Sequence, residues 1–384
     1  MKKLFITLMV CILFTLGVTI ITSSDFYYNE VVKDIPIDDV YINDLQINTS
    51  TYHYEKLTDR EKRIYRTIAN GVMNLDENII LEVTKSNNYS TIKDEIEIAL
   101  NAFFADHPEV FYINDKYEIS FVDTLVIKTI KLKLSYISDN MEEINNMKEE
   151  LYCEIDNINS KLINCKNDYE KELLIHDLIA KDVTYFTYDN YEDIPNIKHT
   201  AYGALVDKSA VCDGITKAFQ IVLSENSIDS VFVTGSSEGV PHAWCKVKLE
   251  DDYYNVDLTS DKAINSSDKS LVIHSYFNIT DEEVSKTHTF DNNLNLPSAT
   301  ATKYNYYIHN DYTISYFDSF QYELEQIIES QASKTLLEFN VVGITEAPAK
   351  MVEALYNLNF NNYKTNNITK VQYHKINDNY IVVK

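Results

Sequence analysis

Basic residues are what this chain most visibly lacks. Its 384 residues hold 34 Lys and Arg against 59 Asp and Glu, a formal charge of −25. Such a surface repels phosphate backbones and anionic headgroups, which argues against nucleic acid and against an anionic membrane face as partners. It suits a soluble protein facing outward, or one acting on basic substrates. Gly (7), Pro (6) and Trp (1) are scarce, while Asn, Ile, Tyr and Lys are abundant. That bias is like that of an AT-rich genome, as in a low-GC bacterium, and excludes no mechanism. Cysteine numbers five, and no two of the nine His lie with Cys or Asp at the close spacing of a zinc site. The expectation is a protein without a metal or other cofactor.

What is present begins with a leader. Met1-Lys2-Lys3 precedes an unbroken apolar run from Leu4 to Thr22, a basic start and apolar core that reads as a secretory signal. At about 19 residues the run is also long enough to stay as a membrane anchor. Thr22-Ser23-Ser24 offers small residues for cleavage but no A-x-A pattern, and Cys11 behind Val10 lacks a lipoprotein flank. The expectation is a signal or anchor over 1–24, with the remainder secreted or at the cell surface. Any membrane contact runs through this segment, if it is uncleaved. Residues 25–50, acidic and without period, read as a linker.

The length suggests two or three domains. Leu57-Thr58-Asp59-Arg60-Glu61 is a capping box ahead of Ile64, Ile68 and Val72. Ile92, Ile96, Ala99, Leu100 and Phe103 make a second amphipathic helix, ending at Asp106-His107-Pro108 because proline disfavours helix at the residue before it. His107 is read as part of that stop. Val110–Ile113, Tyr117–Phe121 and Val126–Tyr136 read as strands. These elements compose an α/β helper domain over 51–137. Met141 to Ala180 is helical in pattern, broken near Asn157–Ser160. Cys153 and Cys165 flank the break; on one continuous helix they would stand about 18 Å apart, while a helix hairpin could bring them together. Two separate thiols and a disulfide both remain open.

The chain is organised around Ala210-Val211-Cys212-Asp213-Gly214-Ile215. Ile215, Ala218, Phe219, Val222 and Leu223 recur at helical spacing, so one face of this helix is apolar. Cys212 falls in or just before its first turn, where free N–H groups and the helix dipole favour a thiolate. Gly214 is read as keeping the approach to the sulfur open. His242-Ala243-Trp244 then opens an alternating strand, with His242 and Trp244 on one face and Ala243, Cys245 and Val247 on the other. Cys245, the rival nucleophile, therefore points into the core. After Glu250-Asp251-Asp252 a second strand puts Tyr253, Asn255 and Asp257 on one face. A hairpin turning at Asp251-Asp252 would set Asp257 opposite Lys246, on the face of His242 but two pairs along.

Helix-tip Cys, strand His and strand Asp, in that order, are the constellation of a cysteine acyl-transfer enzyme. Residues 165–290 resemble the transglutaminase-like family. The matching pieces are Val211-Cys212-Asp213-Gly214, His242-Ala243-Trp244, Tyr254-Asn255-Val256-Asp257-Leu258-Thr259, Thr200-Ala201-Tyr202-Gly203-Ala204-Leu205-Val206 and Tyr276-Phe277-Asn278. Tyr169-Glu170-Lys171, Ile175-His176-Asp177 and Thr280-Asp281 also fit. Residues 51–137 look like the amino-terminal region of clostridial transglutaminase-like surface proteins. The resemblance implies an α+β fold with a papain-like core. In such a core the helix bearing the Cys packs on an antiparallel sheet bearing His and Asp. That core would occupy 138–295, flanked by the helper domain and by a small α/β appendage over 296–384.

The resemblance also implies Cys212, His242 and Asp257 as catalytic residues, and a protein or peptide substrate, cell-wall associated among the options. It implies an oxyanion site made by the Cys212 N–H with Tyr202. Trp244 would shield a thioester from water or belong to the core. There is no EF-hand loop, so the calcium dependence of some relatives is not expected. Crosslinking and hydrolysis remain open, and the alternative is a non-catalytic surface module that kept the fold. His176 reads as a core helix residue, and His274 and His288 as structural or surface residues. His274–Phe277 is expected as a strand and Thr280–Glu283 as a capped turn. In the appendage, Asn305–Ile308, Thr313–Phe317 and Leu336–Val342 are expected as strands. Helices are expected at Phe320–Ile328 and around Met351, Leu355 and Leu358, before a terminal hairpin.

Overall fold

The computed structural model describes residues 18–20, 51–82, 89–114, 116–123, 128–262, 271–291, 295–316, 318–331, 336–343, 372–376 and 379–383. Most of the expected leader, the linker, and the helix expected around Met351–Leu358 lie outside them. The chain is α+β and divides into two compact units, one formed by 1–245 with 289–296, the other by 246–288 with 297–384. The division falls inside a single strand, Val240–Leu249.

In the first unit the helix Asp59–Met73 starts where its capping box says it should. The Glu61 N–H faces the Thr58 hydroxyl at 3.4 Å and the Thr58 N–H donates to the Glu61 carboxylate at 2.7 Å. Ile64, Ile68 and Val72 are fully buried, as their spacing requires. They and the helix Tyr89–Asp106 accompany a sheet ordered Val18–Ile20, Tyr117–Asp123, Lys128–Lys133, Asn78–Glu82. In the third of these, Ile130 and Leu132 point inward while Lys131 and Lys133 do not.

Val110–Ile113, expected as a strand, is irregular apart from one bridge between Ile113 and Tyr136. Turn bonds take its first donors: the Val110 N–H donates to His107 O at 3.1 Å and the Phe111 N–H to Glu109 O at 3.1 Å. The helix before it stops at Asp106 as expected, but the stop does more than end a helix. The Asp106 carboxylate accepts the N–H groups of His53 (3.0 Å) and Tyr54 (2.8 Å), capping the helix Tyr52–Lys56. Burial pushes Asp106 up to about 7 despite those donors. His107 is buried between the Tyr65 hydroxyl (2.9 Å) and Glu109 (2.7 Å).

The helical stretch after residue 140 breaks as its sequence predicts, into Met141–Asn159, a short turn Leu162–Asn164, and Asp168–Asp182. Cys153 and Cys165 are separate free thiols. The helix Cys212–Glu225 runs through the core of this unit. Ile215, Ala218, Phe219, Val222 and Leu223 are fully buried, and so are Ile221 and, almost wholly, Gln220. Gln220 donates to the carbonyl of Ala105 at 2.8 Å. Ser230–Ser237 packs against this helix and pairs with Val240–Leu249.

In the second unit, Lys246–Leu249 turns into Asp252–Val256. The turn sits at Glu250-Asp251, one residue earlier than expected, with Glu250 in the left-handed region at φ 55°. His274–Phe277 forms a turn rather than a strand. The His274 N–H donates to the Glu338 carboxylate at 3.0 Å and the Phe277 N–H faces His274 O at 3.4 Å, so a side chain and a turn take the bonds a neighbouring strand would need. Tyr306–His309 is a helix rather than a strand, because Asn305 caps it through the N–H groups of Tyr307 and Ile308. Thr280 and Glu283 form the expected box. Beyond them, Phe320–Ser330 buries Phe320, Leu324, Ile327 and Ile328. The last sheet is ordered Thr313–Ile314, Leu336–Val341, Asn379–Val383, Gln372–Ile376.

Candidate active site

Cys212 is the first residue of its helix and is partly exposed. At that position no intrahelical carbonyl can accept its N–H. The segment leading to it, Ser209–Ala210, pairs in parallel with Thr184–Tyr185, Tyr185 facing Ala210. On the other side the turn Asn196–His199 is drawn against the helix start: the Val211 N–H donates to Lys198 O at 3.0 Å.

Two glycines make that approach possible. A Cβ on Gly203 would lie 2.0 Å from Ile197 O, and one on Gly214 would lie 2.4 Å from Lys198 O and 3.0 Å from Thr200 N. Gly214 thus permits close backbone packing at the helix start. Gly214→Ala is expected to destabilise the protein by roughly 1–3 kcal/mol, as overpacking does, although Gly→Ala in an unobstructed helix stabilises. Urea unfolding of the two proteins decides the sign.

Next to Cys212 lies a buried charged group that the sequence did not single out. His199 Nδ1 stands 2.9 and 3.0 Å from the two Asp213 carboxylate oxygens. Lys217, one turn on, donates to the carbonyl of His199 at 2.8 Å and lies 4.0 Å from Asp213. Burial alone would raise Asp213, but His199, Lys217 and the Gly214 N–H outweigh it and hold the carboxyl below its usual range. Burial draws the Lys217 ammonium down, against the opposing pull of Asp213 and the sulfur of Cys212. The Asp213 of the C-D-G triplet was the available sequence signal. Its partner 14 residues upstream was not.

The strand carrying His242 is stitched to the first turn of this helix. The Thr216 hydroxyl lies 2.8 Å from Cys212 O and 3.1 Å from Ala243 O, the carbonyl next after His242. Cys245 is buried on the same seam, its sulfur 3.9 Å from Thr216 O, as the strand's parity predicts. His242 is buried and stacks on Trp244, ring centres 6.2 Å apart and planes at 21°. Trp244 has no exposed surface, packs against Phe290 at 5.2 Å, and lies over Gly235, where any side chain would meet it.

The side chain of Tyr202, the other expected oxyanion residue, is engaged by its neighbours. Its hydroxyl donates to the Glu150 carboxylate and its ring stacks on Phe111 at 4.9 Å. The tyrosines that feel the sulfur are Tyr185 and Tyr188, whose hydroxyls bond each other. Burial first, then the charge of Cys212, raises both, so both remain O–H donors at neutral pH.

In the second unit Asp257 is buried. Its Oδ1 accepts the N–H groups of Thr259 (2.9 Å) and Ser260 (3.2 Å), and its Oδ2 accepts the Ser260 hydroxyl (2.6 Å) and lies 3.0 Å from His288 Nε2.

No family model matches the chain, and no curated protein matches it. Among solved structures it is similar to a TGase, at 14% identity over 39% of this chain and 45% of that one, with a TM-score of 0.28. It is also similar to a candidate cysteine protease from Cytophaga hutchinsonii, at 15% identity over 38% of this chain and 63% of that one, TM-score 0.24. A third, a candidate protease from Parabacteroides distasonis, shares 13% identity over 37% and 39%, TM-score 0.22. The chain thus spans less than two thirds of the length of each.

Proposed function

We propose that this chain is an exported, transglutaminase-like cysteine acyltransferase or peptidase with a papain-like core, acting on protein or peptide amides through an acyl-thioester. The observation that carries the reading is the Thr216 stitch. It joins the turn that begins at Cys212 to the strand residue next to His242, so the nucleophile candidate and the base candidate sit on two directly bonded elements.

In this reading His242 takes the proton from Cys212, and Asp257 orients and charge-balances the imidazole. The Sγ–C bond forms as the substrate C=O becomes an oxyanion. Its collapse breaks the C–N bond, and the departing amine takes the proton from His242. The thioester then passes to water, which gives hydrolysis, or to a lysine amine, which gives a crosslink. The full chain and its Cys212→Ala variant, each incubated with a Gln-rich protein and a labelled primary amine, separate these by mass spectrometry. A Cys212-dependent adduct marks a transferase and Cys212-dependent fragments a peptidase. Neither product on this or a panel of exported proteins would sink the reading.

The oxyanion in this scheme is met by the Cys212 N–H and by the Tyr185–Tyr188 hydroxyl pair. Tyr185→Phe is expected to slow acylation by p-nitrophenyl acetate about 10²-fold, the size of losing one oxyanion donor. Alkylation by iodoacetamide, which forms no oxyanion, should keep its rate. Equal slowing of both would reduce Tyr185 to a packing residue.

A further inference from the structure

His288 carries no sequence signal of chemistry, yet its side chain has no exposed surface and faces the carboxylate of Asp257 at 3.0 Å. The contact fixes the tautomer. A ring nitrogen against a carboxylate oxygen must bear a proton, so Nε2–H donates. The other nitrogen, Nδ1, stands 2.8 Å from the Thr287 hydroxyl, which can donate to it. Thr287 Oγ1 lies 3.2 Å from the Tyr276 hydroxyl, which can donate in turn. The hydroxyls and the imidazole can therefore form one directed chain, Tyr276 to Thr287 to His288 to Asp257, in which Thr287 gives its proton to Nδ1 at 2.8 Å in preference to Val284 O at 3.5 Å.

The same residues close on themselves. The Asp257 N–H donates to Tyr276 O at 3.1 Å, and the Tyr276 ring meets the His288 ring edge to face at 5.4 Å. Three of the donors seen on Asp257 come from Thr259 and Ser260, the next residues along the chain. They would follow the carboxylate wherever the loop went. His288 stands 31 residues away, on a different element, and ties Oδ2 to the body of its unit.

We propose that His288 is a positioning residue for Asp257: it sets the rotation of the carboxylate for its work on His242. This rests on the triad reading above. Facing the His288 ring within its own unit are the Asp257 carboxylate, the Tyr276 phenol and the Thr287 hydroxyl. A His288 side chain that only filled space would be replaceable by any apolar group of similar size. One that positions Asp257 is replaceable only by another hydrogen-bond donor of similar reach.

The test uses the full chain and reads Cys212 chemistry with p-nitrophenyl acetate and iodoacetamide at pH 7 and pH 9. Folding of every variant is checked by circular dichroism. His288→Leu should slow both reactions at pH 7 by tenfold or more. Alkylation should recover at pH 9, where a thiol ionises without help. His288→Gln, whose amide can donate, should restore most of the loss. A folded His288→Leu protein with parental rates at pH 7 would overturn the proposal. So would a loss that persists at pH 9 and that Gln does not relieve. Should His288→Leu fail to fold, Thr287→Val decides: a several-fold slowing at pH 7 that vanishes at pH 9 supports the proposal, and no change overturns it. Were the parent no more reactive than its Cys212→Ala variant, the triad reading itself would fall and this proposal with it.

Discussion

Cys212→Ala is expected to abolish acyl transfer while leaving the fold intact. Loss of a nucleophile that acts with its base as a unit costs on the order of 10⁶ in turnover, which in a product assay reads as background. The stability half of the prediction follows from the site. Cys212 is partly exposed at a helix start, and its helix is held by Phe219, Val222 and Leu223 further in. Removing one sulfur atom there opens no buried cavity. Cys245→Ala provides the contrast. Cys245 is buried against Thr216, so that variant should lose about 1 kcal/mol of stability, as small core truncations do, and keep its activity. Product formation by mass spectrometry, with urea unfolding beside it, separates the two thiols. A Cys212→Ala protein with full turnover would end the assignment.

His242→Gln should be nearly as damaging at neutral pH, by roughly 10³–10⁴-fold, the range seen when one member of such a triad is lost. Glutamine fills similar space beside Trp244, so the fold should survive. What is lost, in the proposed mechanism, is the group that takes the proton. The pH dependence carries the sign. At pH 7 an unassisted thiol is mostly protonated and alkylates slowly, and above about pH 8.5 it ionises alone. Alkylation of the variant should therefore rise steeply between pH 7 and pH 9, while the parent changes little. Amide turnover should stay low throughout, because the leaving amine still lacks its proton donor. Parallel pH profiles for the two proteins would remove His242 from the mechanism.

The parts of the fold that were legible in the sequence are those set by neighbours along the chain. Thr58 and Glu61 announce a helix start three residues apart. Ile130, Leu132 and their lysines announce a strand face. Cys212 at the end of a loop and the start of an apolar helix can be read without any partner. The misreadings occurred where a side-chain hydrogen bond, near or distant, outbid strand preference. Tyr306 and Tyr307 favour strand, yet Asn305 caps a helix turn there. His274–Phe277 alternates well enough for a strand, but Glu338, 64 residues away, takes the His274 N–H.

The candidate site divides along the same line. Sequence alone determined the residue types, their chain order, the start of the Cys212 helix and the face on which His242 lies, because helical and strand periods are local properties of the backbone. Tertiary structure decided which groups surround them. It tied Tyr202 to Glu150 and brought Tyr185 beside Ala210. It spent the missing side chain of Gly214 on the Lys198 carbonyl, and set His288 against Asp257. Each of these is a pairing across a loop or between separate elements. Their closeness comes from burying apolar faces in the core of each unit, and no spacing along the chain encodes it.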